Sequence, residues 1–251
     1  MLEALLLFAA GFLGGMLNAV AGGGTFITFP VLVFIGIPPV VANATSTIAA
    51  LPGYLSAAIA FRGDIRRIQD APFAKLTVWT MIGGAIGSGL LLISSNKAFS
   101  ALVPFLLLAA TLVFYFANDV RRAASRWRSV VKPFGLGILL PVAIYGGYFN
   151  GGLGIVLLAV FAMWGMSDLH AMNGLKCWLS FALSVVAFAI FAAGGAVAWM
   201  PAAIMAAGTI TGGYAGAPVA RRIPRETLRL LIAVIGLGMT AIFFWRLIQG
   251  A

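Results

Sequence analysis

Charge is scarce in this sequence. Of its 251 residues, 9% are Asp, Glu, Lys or Arg and 62% are hydrophobic, and the mean hydropathy is +1.07. A soluble domain carries about 25% charged residues, so these few charges cannot cover a water-facing surface. Negative charge is scarcest: Glu3, Asp64, Asp70, Asp119, Asp168 and Glu226 are the only acidic residues. Each falls at an end or between apolar runs, which argues against carboxylates relaying protons through a membrane. Cys177 is the single cysteine and His170 the single histidine. No internal disulfide or thiolate cluster can form, and neither a metal nor a cofactor is expected. The sequence also lacks a His pair, an HExxH motif and a Cys–His partnership, so no catalytic residues are assigned and an enzyme is not expected. With no GxxxxGK[ST] loop, the chain should not hydrolyse ATP. The first residues carry Glu3 and no basic stretch, so a cleaved signal peptide is not expected.

What is abundant is apolar sequence. Charged residues and Gly/Pro clusters divide it into ten segments, at 3–20, 24–36, 40–61, 73–94, 99–118, 134–149, 153–166, 170–193, 200–219 and 227–247. Six reach about 20 residues, enough to cross a bilayer core as helices. Backbone amides find no water there, so an all-α polytopic membrane protein is expected. The segments at 24–36, 134–149 and 153–166 are too short to cross comfortably, and that at 3–20 runs into Gly22-Gly23-Gly24. Thirteen of the sixteen basic residues fall in three strips: Arg62, Arg66, Arg67 and Lys75; Arg121, Arg122, Arg126, Arg128 and Lys132; Arg221, Arg222, Arg225 and Arg229. By the positive-inside rule the loops 62–75, 119–132 and 221–229 are cytoplasmic, and those near 95–98 and 194–199 external. The strips have an alternative use in binding a partner or anionic lipid. No basic face with interleaved aromatics exists, so nucleic acid is not an expected partner. Trp79, Trp164, Trp178, Trp199 and Trp245 suit interfaces or packing and imply no chemistry.

A repeat is legible. Gly14-Gly15-Met16-Leu17-Asn18 is echoed by Gly146-Gly147-Tyr148-Phe149-Asn150. Glycines follow each: Gly22, Gly23 and Gly24, then Gly151, Gly152 and Gly154. A short apolar run, a turn (Gly36-Ile37-Pro38-Pro39; Gly165-Met166-Ser167-Asp168) and a second asparagine, Asn43 or Asn173, complete the pattern. Gly83/Gly87 and Gly208/Gly212/Gly216 form small-xxx-small faces suited to close helix packing. Two transmembrane repeats, 1–125 and 126–251, are the simplest account. The charge strips make the first hairpin begin and end outside and the second begin and end inside. With five segments each, the halves are then inverted, and each opens with a broken, re-entrant hairpin.

Helix breaks at membrane depth free backbone groups, tolerated only where they line a cavity or site. Paired Gly-interrupted segments in two inverted halves are a pointer to a transport site. The expected site is therefore Asn18 with Gly22, Gly23 and Gly24, meeting Asn150 with Gly151, Gly152 and Gly154 around a small anion. Half-helix N-termini favour such a ligand. The competing reading gives the glycines to helix packing and the asparagines to interhelical hydrogen bonds. Asn43 lies about 7 Å down its helix from Pro38, and Asn173 a similar distance from Asp168. Thr45 and Ser46 add neutral donors, unless they bond back to their own helix. Lys176 sits about 12 Å past Asp168, deeper than any other basic residue. An ionisable group there suggests function; snorkelling, or pairing with Asp168, is the alternative. Asp168 reads as a helix N-cap. His170 reads as a solvated loop residue rather than a proton-coupling group.

The runs GGMLNAVAGGGTFITFPVL and GIPPVVANATS, their echo GGYFNGGLGIVLLAVF and MNGLK, and the late TGGYAGAPVARRIP resemble the TauE/SafE sulfite-exporter family over essentially the whole chain. That resemblance implies a bacterial inner-membrane permease of two homologous halves. It implies secondary transport, with export the expected direction, of sulfite or a related organosulfonate or oxyanion. Lys176 aligns near Ser46, so the two half-sites are not chemically equivalent. The partners implied are a small inorganic or organosulfur anion and the lipid bilayer, with a homodimer left open. An anion channel, or a permease for another small anion such as a carboxylate, is the alternative function. A purely structural membrane subunit is disfavoured by the paired helix breaks.

Overall fold

A computed structural model describes residues 2–20, 22–68, 71–127, 132–220 and 225–248. Each of the ten apolar segments is a helix, and no strand occurs among the described residues. The helices are α1 (Leu2–Val20), α2 (Thr25–Phe34), α3 (Pro39–Ala60), α5 (Phe73–Ile93), α6 (Asn96–Tyr115), α8 (Leu136–Tyr148), α9 (Leu153–Met163), α10 (Leu169–Ala193), α11 (Trp199–Ala220) and α12 (Arg225–Ile248). Two more, α4 (Arg62–Ile65) and α7 (Ala117–Arg126), arise inside strips expected to be loops. The second is amphipathic and packs on α9. Its Ala and Arg residues are good helix formers, and Asp119 in its first turn suits the helix dipole. Asp70, Arg128, Arg221 and Arg222 lie outside the described residues.

Among the described residues α1, α5, α6 and α10 are long and apolar enough to cross a membrane. This is a multi-pass membrane protein. Helix α3 is 22 residues long but less apolar, because Asn43, Thr45, Ser46 and Thr47 interrupt it. All four are buried inside the protein rather than turned to lipid. Helices α2, α8 and α9, of 10, 13 and 11 residues, are about 15–20 Å long. Each alone falls short of a hydrocarbon core about 30 Å thick.

Small residues decide which helices lie together. Helix α1 packs along α11, and α8 along α5. A Cβ placed on Gly11 or Gly15 would strike the backbone of Met205 or Thr209, and one on Gly208 or Gly212 would strike that of Phe8 or Phe12. In the other pair, Gly83 and Gly87 have no room for a side chain against Ala143 and Ile144. Without a hydrophobic drive inside lipid, such backbone approach is what holds helices. The surroundings of Gly216 lie outside the described residues. Helix α3 also lies on α11, α10 lies on α5, α3 crosses α10, and α6 pairs with α12. Phe29 of α2 ties several of these together, with ring centroids 5.9 Å from Phe149, 5.8 Å from Phe243 and 6.4 Å from Phe99.

Hydrogen bonds assign the ends. Val40 N–H at the start of α3 donates to Asn96 Oδ1 at 3.2 Å, and Ala198 N–H donates to Thr45 Oγ1 at 3.0 Å. The start of α3, the α5–α6 turn and the α10–α11 turn therefore share one end of the bundle. At the other end, Phe61 stacks on His170 at 6.2 Å and Ile65 seats against Gly174. That places Arg62, Arg66 and Arg67 beside the start of α10. Asp168 caps that helix as expected, accepting from His170 N–H at 2.9 Å and Ala171 N–H at 3.3 Å.

Candidate functional site: two broken helices around a buried lysine

The glycine breaks in the two hairpins come together. Gly22 has φ +84° and Gly152 has φ +75°, left-handed conformations that a side chain disfavours. A Cβ built on Gly22 would sit 2.7 Å from Gly154 Cα, and one on Gly154 would sit 2.7 Å from Gly22 Cα. The two backbones thus touch where α1 gives way to α2 and where α9 begins. Helix α6 backs the junction, with Phe114 against Gly23 and Ala110 against Gly152. Gly151 sits under the Phe149 ring. The short helices then end alike, on Gly36 and Gly165 with φ +92° and +87°. In each case the next residue, Ile37 or Met166, reaches back five positions to a helix carbonyl at 3.1 and 3.0 Å respectively, the Schellman arrangement.

Lys176 of α10 lies beside this junction. It is 0% exposed and is the only charged side chain buried among the described residues. Its stem lies against Gly154, a Cβ on which would be 3.1 Å from Lys176 Cδ. Nζ donates to Asn173 Oδ1 at 2.9 Å and to Asn18 O at 3.3 Å. An ammonium has three donors, and both of these acceptors are neutral. Among the described residues no carboxylate pairs with it. Neither sequence alternative holds, since Lys176 neither snorkels nor pairs with Asp168.

The other predicted residues divide by what their side chains do. Asn18 Oδ1 accepts from Gly24 N–H at 2.8 Å, covering a donor that the start of α2 would otherwise leave open. Asn43 Nδ2 donates to Tyr148 O at 2.9 Å, at the broken end of α8. Helix α3 thus satisfies the end of α8, while α10, through Lys176, satisfies the end of α1. Asn43 Oδ1 and Asn150 Nδ2 are buried without a partner. Buried polar atoms without partners are rare and costly, and both stand at the helix breaks. Asn150 Oδ1 accepts from Tyr54 OH at 3.5 Å. Ser46 Oγ shares a 2.6 Å hydrogen bond with Thr28 Oγ1, whereas Thr45 is turned to Ala198 and anchors the α10–α11 turn.

Three participants were not singled out from sequence. Thr28 was discoverable, because the run TFITFPVLVF of α2 holds two polar residues only. Tyr54 and Tyr145, whose hydroxyls reach Asn150 Oδ1 and Gly151 O, stand among aromatic residues that read equally well as packing.

Comparison with known proteins agrees with the architecture. The family model described as "Sulfite exporter TauE/SafE" matches residues 7–243. The chain is 31% identical over 238 residues to a Haemophilus influenzae protein named "Probable membrane transporter protein", covering 94% of this chain and 92% of that one. It is 28% identical to "Probable membrane transporter protein ORF9" of a Sinorhizobium species, covering 93% and 89%. It is 26% identical to "Probable membrane transporter protein YfcA" of Escherichia coli, covering 94% and 87%. No solved structure matches the chain. With a family match across nearly its whole length, and relatives that carry a transporter's name rather than an enzyme's, the chain belongs to the sulfite exporter TauE/SafE family of membrane transport proteins.

Proposed function

We propose that the chain is a secondary transporter, in the export direction, for sulfite or a related small organosulfonate or oxyanion, working by alternating access in a bacterial plasma membrane. The observation that carries this reading is the junction itself. Two Gly-broken helix ends abut inside the helical bundle, next to a buried lysine whose side-chain nitrogen has neutral partners only. Irregular backbone within a bilayer belongs at sites, and breaks of this kind place a substrate between two halves. The residues proposed to face the anion are Asn18, Gly22, Gly23, Gly24, Asn43, Ser46, Asn150, Gly151, Gly152, Gly154, Asn173 and Lys176, with Thr45 holding α3 in place.

The halves 1–125 and 126–251 are read as inverted repeats. Support comes from the reciprocal packing of α1 on α11 and α8 on α5, and of α3 on α11 and α10 on α5. Rocking one half against the other would open the junction to alternate sides. The end carrying Arg62, Arg66 and Arg67 is read as cytoplasmic from its positive charge, and with it the loops 62–75, 119–132 and 221–229.

Reconstitution in proteoliposomes tests the mechanism. Counterflow of labelled sulfite driven by unlabelled sulfite inside is the expected result. Dissipative flux without counterflow would instead establish a channel. An arm with a small carboxylate in place of sulfite separates the two substrate classes.

A further inference from the structure

The number of charges at the junction, taken together with the anion-transport reading above on which this step rests, carries one more conclusion. We propose that the site selects singly charged anions, taking sulfite in its hydrogensulfite form, with Lys176 as the specificity-determining residue, and rejects doubly charged anions of the same size and shape.

The charges can be counted element by element. Helices α1 and α2 bring Asn18, Gly24 and Thr28 to the junction. Helix α3 brings Asn43, Ser46 and Tyr54, and the α8–α9 break brings Asn150 and Gly154. Helix α10 brings Asn173, Lys176 and, next in sequence, the buried thiol of Cys177. One group in this set, Lys176, can carry a positive charge, and none is a carboxylate. In α3, Ser46 stands three residues past Asn43, as Lys176 stands three residues past Asn173. Ser46 is neutral and already bonded to Thr28 at 2.6 Å, so that half supplies no second charge. Every other basic side chain among the described residues is exposed.

A charge buried away from water is tolerated when it is paired and hydrogen-bonded. One ammonium and one monoanion compensate each other, and the neutral donors complete the shell. A dianion leaves its second charge to neutral dipoles alone in a low-dielectric setting, where an uncompensated charge is most costly. The discrimination therefore comes from charge balance rather than pocket size.

Methanesulfonate and sulfate are the probes, being close in size, both tetrahedral, and different by one charge. Their binding to the purified full-length chain is measured by calorimetry. Methanesulfonate should bind more tightly than sulfate by roughly 100-fold or more. In folded K176M its affinity should fall roughly 10- to 100-fold, the loss expected for one charged hydrogen-bond partner. In folded S46K, which places a second ammonium on α3, sulfate should gain about tenfold or more on methanesulfonate. Equal or tighter sulfate binding by the wild-type chain overturns the proposal without any variant. So does a folded K176M protein with unchanged methanesulfonate affinity, or a folded S46K protein with unchanged preference. Binding of neither probe overturns the anion-site reading itself, and the charge argument with it.

Discussion

Adding one methyl group at the hairpin junction should destabilise the protein in a graded way that the geometry fixes. In G154A the new Cβ falls 2.7 Å from Gly22 Cα, well inside ordinary carbon contact. Backbone, not a flexible side chain, must yield, at the overpacking cost of about 1–3 kcal/mol. Ala in place of Gly within helix α9 returns about 0.5–1 kcal/mol, which leaves a net loss of about 0–2.5 kcal/mol. In G22A the methyl meets Gly154 Cα at the same 2.7 Å, and φ is +84°. The left-handed conformation adds about 1–2 kcal/mol for an L-residue, and no helical gain offsets it. The expected loss is about 2–5 kcal/mol.

Gly89 of α5 is the control, since a Cβ there has no atom within 4 Å and G89A should gain about 0.5–1 kcal/mol. Thermal unfolding in detergent, followed by tryptophan fluorescence, reads all three. At about 2–4 °C per kcal/mol for a chain of this size, G22A should fall by about 4–20 °C and G154A by about 0–10 °C, while G89A rises by about 1–4 °C. The double variant G22A/G154A should depart from additivity by more than about 0.5 kcal/mol, because both methyls enter one contact. A wild-type midpoint for G22A, or an equal fall for G89A, would refute the reasoning.

Other outcomes follow from the same contacts. Asn18→Ala leaves Gly24 N–H without its acceptor and should cost about 1–3 kcal/mol, whereas Asn18→Asp keeps the acceptor, and so the fold, while repelling an anion; thermal unfolding and sulfite binding on both variants read the difference. Thr28→Val and Ser46→Ala should each cost about 1–2 kcal/mol by orphaning the other hydroxyl, while the pair of substitutions costs less than their sum; denaturation midpoints in a double-mutant cycle check this. Asp168→Ala should lose about 1 kcal/mol and Asp168→Asn nearly none, as a helix cap requires. In accessibility labelling of intact cells, Arg66→Cys should react only after permeabilisation and Lys97→Cys from outside. Cys177, buried at 0% exposure, supplies a silent background, and labelling of Arg66→Cys from outside would reverse the proposed orientation.

Much of this protein is legible without a structure. Hydrocarbon leaves a backbone no alternative to internal hydrogen bonding, so each apolar run from Leu2 to Ile248 had to be helix, although Pro30, Pro52, Pro104 and Pro141 lie inside helices rather than at their ends. Gly36 and Gly165 close the short helices, Asp168 opens α10, and the glycines at 22–24 and 151–154 mark matching breaks in the two halves. The residues around those breaks could be named for the same reason, since polar groups at that depth stand out against an apolar ground. Helix α7 escaped because its amphipathic pattern covers ten residues only, within a strip dominated by charge. Which groups meet is a different matter. That Gly22 lies on Gly154, that Lys176 reaches a carbonyl 158 residues away at Asn18, and that Ser46 is taken by Thr28 all depend on long-range packing. That packing rests on glycine faces at α1–α11 and α5–α8, where backbones approach too closely for any side chain. A linear pattern shows that such faces exist. Only the folded molecule decides which face each one fits.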